Sequence, residues 1–405
     1  MTCSTKIEIL AAQILQKLSI TGAWRTRFLL HLFGLWPALL GRYNFINLGR
    51  QGDFIEYTYR KHFAKSFDWL AFNLALVKEQ ASDNLIIGLD PSFIPKAGKH
   101  TAGVGRFHSG KAGRRKHGIE ITGLAAIDMI DKTAYHIESV QTVNKKGGES
   151  ELSFYARIIE ERADELLQIS KYVVADAFFS RNPFMGRVVA AGFYVISRAR
   201  KDISLRYYYQ GAKKGKGRNR KYNGKVELTK PDPAIFSRVY ELERPNRKIW
   251  EGVVNQKSVK LMIKAVIIHQ LDEQGQIEKV LTYISTDISL TASEILRKYS
   301  YRFQQEFLFR DAKQFAGLEQ GQGRSKEKIH FHTNMALTTV NLAKVAHYLD
   351  KPVEQRVAFS MSDITTAYRN ERLALYIFRR CGIDPHTPKI QAVIRELKLF
   401  SARAA

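Results

Sequence analysis

Two short apolar segments that each end in an aspartate limit the fold of this chain more than any other feature. Residues 85–90 read Leu-Ile-Ile-Gly-Leu-Asp, and residues 172–176 read Tyr-Val-Val-Ala-Asp. Short unbroken apolar runs are typical of buried strands. Residues 151–169, between them, have a helical periodicity rich in Glu and Leu. This pattern predicts an α/β fold in which helices flank a sheet.

Asp90 and Asp176, the aspartates at the ends of these segments, have two common explanations. Carboxylates at adjacent strand ends can hold divalent cations for phosphoryl transfer. An aspartate in such a position also commonly caps a helix or begins a turn. The two strand ends alone leave both explanations open.

Further strands and helices follow the same alternation. Residues 118–142 are β-rich and predict a hairpin, and residues 193–197 predict another strand. Residues 248–286 alternate in the manner of antiparallel strands, and helical patterns return at about 290–315 and 330–348. A β-rich block therefore interrupts the α/β part of the chain.

The charge balance indicates a polyanionic partner. The 405 residues include 64 Lys+Arg against 39 Asp+Glu, a formal net charge of +25. A hydrophobic content of 45% excludes a disordered chain. Nucleic acid is the favoured partner, because proteins of membrane surfaces usually concentrate such charge on one amphipathic helix.

Two segments hold much of the positive charge. Residues 96–116 contain seven cations, five glycines and no acid, which predicts a flexible basic loop. Residues 198–225 contain eleven cations and four tyrosines against the single acid Asp202. Cations with interleaved aromatics suit phosphate neutralisation and base stacking, although a solvated basic surface is the alternative.

Several classes of protein are excluded or disfavoured. Cys3 and Cys381 are too few for a disulfide framework or a thiolate zinc site. The longest apolar run, residues 28–40, is shorter than the ~20 residues of a membrane span, and no signal-peptide order is present at the N-terminus. We expect a cytoplasmic protein without a membrane partner, associated with the nucleoid of a prokaryotic host.

A polar stripe marks the helix predicted after the β-rich block. At about 100° per residue, Tyr299, Arg302, Glu306 and Lys313 project at about 0°, 300°, 340° and 320°, and Arg310 at about 20°. A stripe of this composition is not a core stripe, which would be apolar.

The stripe has a structural alternative and a functional one. The structural alternative is a solvated face with an Arg302/Glu306 ion pair, beside Phe303 and Phe307 as packing residues. However, the spacing Tyr-x2-Arg-x3-Glu-x6-Lys resembles that of the DDE transposases of the fourth insertion-sequence family. The resemblance covers roughly residues 85–348.

This resemblance implies an RNase H-like mixed sheet flanked by helices, interrupted by a β-rich insertion domain. It implies that Asp90, Asp176 and Glu306 are catalytic ligands of two Mg²⁺ ions, with Mn²⁺ able to substitute. Asp128, which also ends a strand, is the alternative to Asp90. One departure is Ala177-Phe178 in place of the Asp-Arg-Glu run of some relatives, so a role assigned to that arginine has no counterpart here.

The implied organisation has five parts. They are a helical DNA-binding region (1–80), the first part of the catalytic domain (81–199), the insertion domain (200–286), the second part of the catalytic domain (287–350) and a helical C-terminal region (351–405). Residues 41–50 resemble the turn and polar helix of a helix-turn-helix, with a plain helical packing module as the alternative.

The implied function is cut-and-paste transposition. The protein would bind terminal inverted repeats, cleave them, form and open a hairpin, and join the freed 3′ end to target DNA, as a homodimer in the synaptic complex. We expect DNA contacts at residues on the catalytic helix and in the basic segments: Tyr299, Arg302, Arg310, Lys313, Arg198, Lys96, Arg114, Arg115, Lys213, Lys214 and Arg218. Trp250 and Tyr283 are candidates to stack a flipped base.

Two other functions remain open. An RNase H-like, structure-specific nuclease would cleave DNA without strand transfer. A domesticated DNA-binding relative would have lost catalysis, although three acids in place speak against it. The histidines of the basic loop, His100, His108 and His117, do not have the spacing of a metal motif.

Overall fold

A computed structural model describes residues 3–18, 22–142, 148–209, 211–212, 215–349 and 359–402. Its strands are β1 (Leu85–Pro95), β2 (Gly105–Ser109), β3 (Arg114–Asp128), β4 (Thr133–Gln141), β5 (Tyr172–Ala175), β6 (Tyr194–Arg198), β7 (Leu205–Tyr208), β8 (Tyr222–Lys225), β9 (Phe236–Arg238), β10 (Arg247–Gln256), β11 (Leu261–Leu271) and β12 (Ile277–Ser285). Its helices are α1 (Cys3–Leu18), α2 (Ala23–Ala38), α3 (Phe45–Gln51), α4 (Glu56–His62), α5 (Trp69–Gln80), α6 (Glu151–Glu160), α7 (Ala163–Leu167), α8 (Phe184–Ala190), α9 (Ala292–Tyr301), α10 (Phe303–Phe315), α11 (Lys326–Tyr348), α12 (Met361–Arg380) and α13 (Pro388–Leu399).

Five strands form the centre of the molecule, in the order β4-β3-β1-β5-β6. The pairs β1/β3 and β3/β4 are antiparallel, whereas β1/β5 and β5/β6 are parallel. An antiparallel meander followed by two strands parallel to its first strand is the RNase H-like arrangement, so the predicted fold class is confirmed. Parallel strands must be buried on both faces, which explains the unbroken apolar runs of β1 and β5.

The β-rich block extends this same sheet. β12 pairs with β6 in antiparallel register, with Tyr283 opposite Arg198. The sheet then continues through β11, β10, β7 and β8, and β9 pairs with β10. The block therefore starts and ends at the edge of the central strands, which places its last strand beside the carboxyl end of β6.

Helix α11 joins the sheet to the N-terminal helices. Most of it is buried, and its Asn334 accepts hydrogen bonds at Oδ1 from Ser139 N (2.8 Å) and contacts His136 Nε2 (2.9 Å). Its Asn341 donates to Asn73 of α5 (3.0 Å) and to the carbonyl of His136 (2.7 Å). These hydrogen bonds satisfy the buried polar groups of α11, β4 and α5, and they fix α11 against both of the other elements.

The two chain ends are helical, as predicted, in their described parts. In the segment expected to resemble a helix-turn-helix, Gly41 has φ 77° and the Asn44 side chain caps α3. Helix α4 follows after a short connection, and a role of this pair in reading DNA stays a prediction. None of the described helices combines the length and apolar character that a membrane span requires.

The prediction of a flexible loop over residues 96–116 is wrong for its second half. Residues 105–109 and 114–118 form an antiparallel two-stranded ribbon, with Arg106 opposite His117 and His108 opposite Arg115. Gly113, with φ 61°, completes the turn between the strands. The sequence hid this pairing because cations and glycines carry no strand periodicity.

Candidate active site

Asp90 lies within β1 and not at its end. The strand continues to Pro95 because β3 pairs with it along its whole length, with Asp90 opposite Gly123. On the other side, the ladder with β5 comprises Ile87↔Val173 and Gly88↔Val174. Two residues further along this parallel register, Asp90 and Asp176 stand level with each other. The β1/β5 register thus brings the two aspartates together beside the carboxyl end of β5, the edge at which open α/β sheets bind ligands.

Asp176 has the capping role that the sequence left open. One carboxylate oxygen, Oδ1, accepts a hydrogen bond from Phe178 N (2.8 Å) and so caps the short turn after β5. Ser197 Oγ donates to its carbonyl oxygen (2.7 Å). The cap uses a single carboxylate oxygen, so the capping role does not prevent Asp176 from acting as a ligand.

Helix α10 carries Glu306 and is held close to the sheet by the preceding residue. Gln305 is 1% exposed, and its Nε2 donates to the carbonyl of Gly123 (2.8 Å). A Cβ at Gly88 would lie 2.4 Å from Gln305 Oε1, and one at Gly123 would lie 2.7 Å from Phe309 Cζ. Two glycines in the central strands therefore allow the close approach of α10 that brings Glu306 over the aspartates.

Arg302 is the counter-ion of the site. Its Nη2 lies 2.5 Å from Glu306 Oε1, and its Nη1 lies 3.7 Å from Asp90 Oδ1. The arginine side chain is only 15% exposed. Burial raises the pKa of Asp90 to about 7, Arg302 opposes this rise, and Asp176 and Glu306 add to it. The three acids therefore share one electrostatic environment.

The donor set fits a hard divalent cation, although its present spacing does not enclose one. Three carboxylates without a thiolate or an imidazole suit Mg²⁺ or Mn²⁺. Among the residues that the structure describes, no three His, Cys, Asp or Glu side chains are close enough together to hold a metal ion. The guanidinium of Arg302 contacts Asp90 and Glu306, and its positive charge balances their mutual repulsion.

Two other cations of the predicted stripe, Lys313 and Arg310, contact groups other than the three acids. Lys313 Nζ donates to the carbonyl of Phe93 on β1 (2.9 Å), three residues past Asp90. Arg310 instead pairs with its neighbour Asp311 (2.9 Å) and is 52% exposed. The helix is interrupted at Arg302, where the Arg302 and Gln305 amides bond to carbonyls three residues back. A continuous helical projection therefore placed the stripe only approximately.

Phe303 and Phe307, expected to pack, contact each other with ring centroids 4.8 Å apart, and Phe303 is 49% exposed. Packing comes instead from buried residues on the other side of the helix: Gln305, Leu308, Phe309 and Ala312.

An open cavity of about 350 Å³ adjoins Arg302. Tyr283 and Tyr299 meet edge to face in its wall, with centroids 5.0 Å apart. Trp250 is on the opposite face of the sheet, because it pairs with Ile267 whereas Tyr283 pairs with Val266. The lining includes Arg247, Phe303 and Arg302, and sequence periodicity gave no signal for the first two.

The other predicted DNA contacts are more dispersed. Arg198 is exposed at the end of β6, opposite Tyr283. Lys96 Nζ donates to the carbonyl of Gly321 (2.5 Å) and holds two loops together. Arg114 and Arg115 lie on the ribbon, and Arg218 is exposed near β8. Lys213 and Lys214 lie outside the described residues.

Asp128, the alternative to Asp90, is fully buried at the other end of the β1/β3 ladder, opposite Leu85. It accepts hydrogen bonds from Ser82 N and Oγ (both 2.7 Å) and from Ile130 N (2.9 Å). Its carboxylate joins two loops at the edge of the sheet away from Glu306.

Comparison with known proteins gives the family of this chain. No curated protein matches the sequence. A solved structure described as a piggyBac transposase synaptic complex with hairpin DNA resembles the chain with a TM-score of 0.41 and 11% identity. The match covers 97% of this chain and 75% of that one. The family model of the transposase DDE domain matches residues 83–342, more than half of the chain, and the chain therefore belongs to that family.

Proposed function

We propose that the chain is the DNA transposase of a cut-and-paste insertion sequence, related to the fourth insertion-sequence family. It acts on the terminal inverted repeats of its element and on target DNA. The observation that carries this proposal is that Arg302 contacts both Asp90 and Glu306, while the β1/β5 register sets Asp176 level with Asp90 beside the carboxyl end of β5.

In this proposal the three carboxylates are metal ligands. The chemistry supplied by bound Mg²⁺, or by Mn²⁺ in its place, is activation of the attacking oxygen and stabilisation of the leaving oxygen. The protein contributes placement: β1 and β5 fix the two aspartates, and Gln305 fixes the helix that carries Glu306. No covalent protein intermediate is required.

The cations beside the acids bind the cleaved DNA end. A phosphate entering the site competes with Asp90 and Glu306 for Arg302, and a guanidinium can bind phosphate through two hydrogen bonds. The side chain of Lys313 on α10 reaches the carbonyl of Phe93, further along β1, and Tyr299 lies next to Arg302, so both can contact neighbouring phosphates.

Formation of a DNA hairpin requires sharp bending, which flipping a base out of the stack relieves. The cavity beside Arg302 offers Tyr283 and Tyr299 as a stacking surface next to the acids. We assign the flipped base to Tyr283 over Trp250, since Trp250 is on the opposite face of the sheet. Pairing of two element ends for this chemistry would use a homodimer.

The test is cleavage of a linear DNA that carries the inverted repeats flanking the reading frame, with Mg²⁺ and purified full-length protein. We expect flush excision, hairpin ends and strand transfer. Glu306→Gln should reduce cleavage by roughly 100-fold to 1,000-fold, because a lost ligand forfeits several kcal/mol of transition-state stabilisation. Glu273→Gln, an exposed carboxylate in a turn of the insertion, is the matched control and should cleave normally.

Two results would contradict the proposal. Full activity of Glu306→Gln would contradict the assignment of Glu306 to the active site. Cleavage of branched DNA without dependence on the repeats and without strand transfer would instead favour the structure-specific nuclease.

A further inference from the structure

The ribbon of residues 105–118, here called the basic ribbon, projects from the same strands that hold Asp90. It consists of β2 and the first five residues of β3, joined by the turn Gly110–Ala112. Its base is at Gly118, which pairs with Pro95, the last residue of β1. The ribbon therefore continues β1 and β3 beyond the candidate active site.

The positive charge of the basic ribbon is largely uncompensated. Five exposed cations lie on it, and the segment contains no acid. Arg115 approaches Glu151 of α6 at 3.4 Å. No ion pair occurs within the described part of the chain for the remaining four: Arg106, Lys111, Arg114 and Lys116. A concentration of exposed positive charge without local carboxylates is the electrostatic footprint of a nucleic-acid contact.

The register of the ribbon sorts its side chains onto two faces. Directly paired residues of an antiparallel ladder point to the same side, so Arg106 with His117 and His108 with Arg115 form one polar, exposed face. Phe107, which is half-buried, and Lys116 take the opposite face. Two arginines on one face are suited to the acceptor groups of guanine edges in the major groove.

The dimensions of the ribbon match a groove of duplex DNA. A two-stranded β-ribbon fits the major groove, which is about 12 Å wide. At about 3.3 Å per residue, the five residues from Asp90 to Pro95 span roughly 17 Å, and the four from Gly118 to Arg114 add roughly 13 Å. At about 3.4 Å per base pair, these distances correspond to roughly five to nine base pairs.

We propose that the basic ribbon inserts into the major groove of duplex DNA about five to nine base pairs from the phosphate held at Asp90, Asp176 and Glu306. The distance is set by the length of β1 beyond Asp90, so the ribbon fixes where along the duplex the acids act. This inference rests on the proposed function, because it takes these acids as the cleavage site.

Methylation interference at guanine N7, which lies in the major groove, tests this contact. The probes are three duplexes: the terminal repeat, the flanking donor DNA and an unrelated target. The ribbon variant is Arg106→Ser/Arg115→Ser, which removes the two arginines of one face, and the control is Lys389→Ser/Arg395→Ser, which removes the same charge from exposed positions of α13. The duplex with interference identifies which DNA the ribbon contacts.

We expect interference five to nine base pairs from the cut with wild-type protein and with the control, and its loss in the ribbon variant. Interference that persists in the ribbon variant, or that lies elsewhere on every duplex, would overturn the inference.

The outcome separates this inference from the proposed function. Ribbon-dependent interference without cleavage would leave the ribbon contact standing and overturn the proposed function. Cleavage without ribbon-dependent interference would do the reverse. Absence of any DNA binding by the wild-type protein would overturn both.

Discussion

Arg302 is the residue whose role changes most between the free protein and the proposed DNA complex. In the free protein its guanidinium balances the charge of Asp90 and Glu306, whereas in the complex it would contact a phosphate. The same side chain would thus oppose metal binding before DNA arrives and support cleavage afterwards.

We predict that Arg302→Gln binds Mn²⁺ roughly tenfold more tightly than wild type in the absence of DNA, since a positive charge beside two carboxylates disfavours a second cation. The same variant should cleave DNA more slowly. Mn²⁺ titration followed by electron paramagnetic resonance measures the affinity. Arg310→Gln, on the same helix but paired with Asp311, is the control and should bind Mn²⁺ as wild type does. Equal Mn²⁺ affinities for all three proteins would show that Arg302 does not weaken metal binding by the acids.

Gly88 is the second residue on which the site depends. An alanine there would place its Cβ 2.4 Å from Gln305 Oε1. We predict that Gly88→Ala destabilises the protein by about 1–3 kcal/mol, as overpacking commonly does, and slows cleavage by displacing Glu306. Urea unfolding and single-turnover cleavage measure the two effects. Gly22→Ala, where a Cβ would meet nothing within 4 Å, is the control. Wild-type behaviour of Gly88→Ala would mean that α10 does not depend on this close approach.

The assignment of Asp90, Asp176 and Glu306 to one site follows from the family resemblance of the helix spacing and from the strand context of the two aspartates, and it stays a prediction. The Arg302/Glu306 ion pair, the structural alternative for the stripe, is present. The contact of Arg302 with Asp90 could not be predicted, because it depends on how the helix packs against the sheet. Gly88 gave no signal either, since a glycine in an apolar strand reveals nothing about the helix packed above it.

At the scale of elements, helix α11 is fixed by polar groups and not only by apolar packing. His136 contacts Asn334 and is 1% exposed. Burial lowers the pKa of His136 to about 3, because the charged imidazolium would lose its hydration. Its usual pKa is about 6.5. The imidazole of His136 is therefore neutral in the folded state.

This lowered pKa predicts a loss of stability in acid. The contribution of neutral His136 is fully present above about pH 6.5 and is lost as the pH falls towards 3, by about 1.4 kcal/mol for each pH unit. Asp90, with a raised pKa, acts in the opposite direction over part of this range. Urea unfolding at several pH values should therefore compare wild type with His136→Gln, in which Asp90 is unchanged. Identical pH slopes would refute the buried neutral histidine.

The elements that the sequence predicted poorly are those defined by a distant partner. β1 was expected to end at Asp90, yet β3 extends it to Pro95. The two prolines, Pro91 and Pro95, are tolerated because the β5 ladder no longer accompanies the strand there. The basic ribbon likewise depends on pairing between chain segments, which local composition does not encode.

For the whole molecule, the two segments that hold much of the positive charge contribute strands to one continuous sheet. The basic ribbon is at one edge strand and the Lys/Tyr-rich strand β8 at the other, with the acids between them. The alternation of strands and helices predicted the fold class correctly. The pairing of β12 with β6, which joins the insertion to the central strands, is evident only from the strand register of the structure. The domain boundaries stay predictions.

The central claim is that Asp90, Asp176 and Glu306 act as one catalytic unit, which single-turnover cleavage of repeat-bearing DNA in Mg²⁺ tests most directly. Asp90→Asn, Asp176→Asn and Glu306→Gln should each lose roughly 100-fold or more of the cleavage rate. The double variant Asp90→Asn/Glu306→Gln should be little slower than either single variant, because residues that act as a unit show strongly non-additive effects. Normal cleavage by any single variant, or losses that multiply in the double variant, would contradict the account.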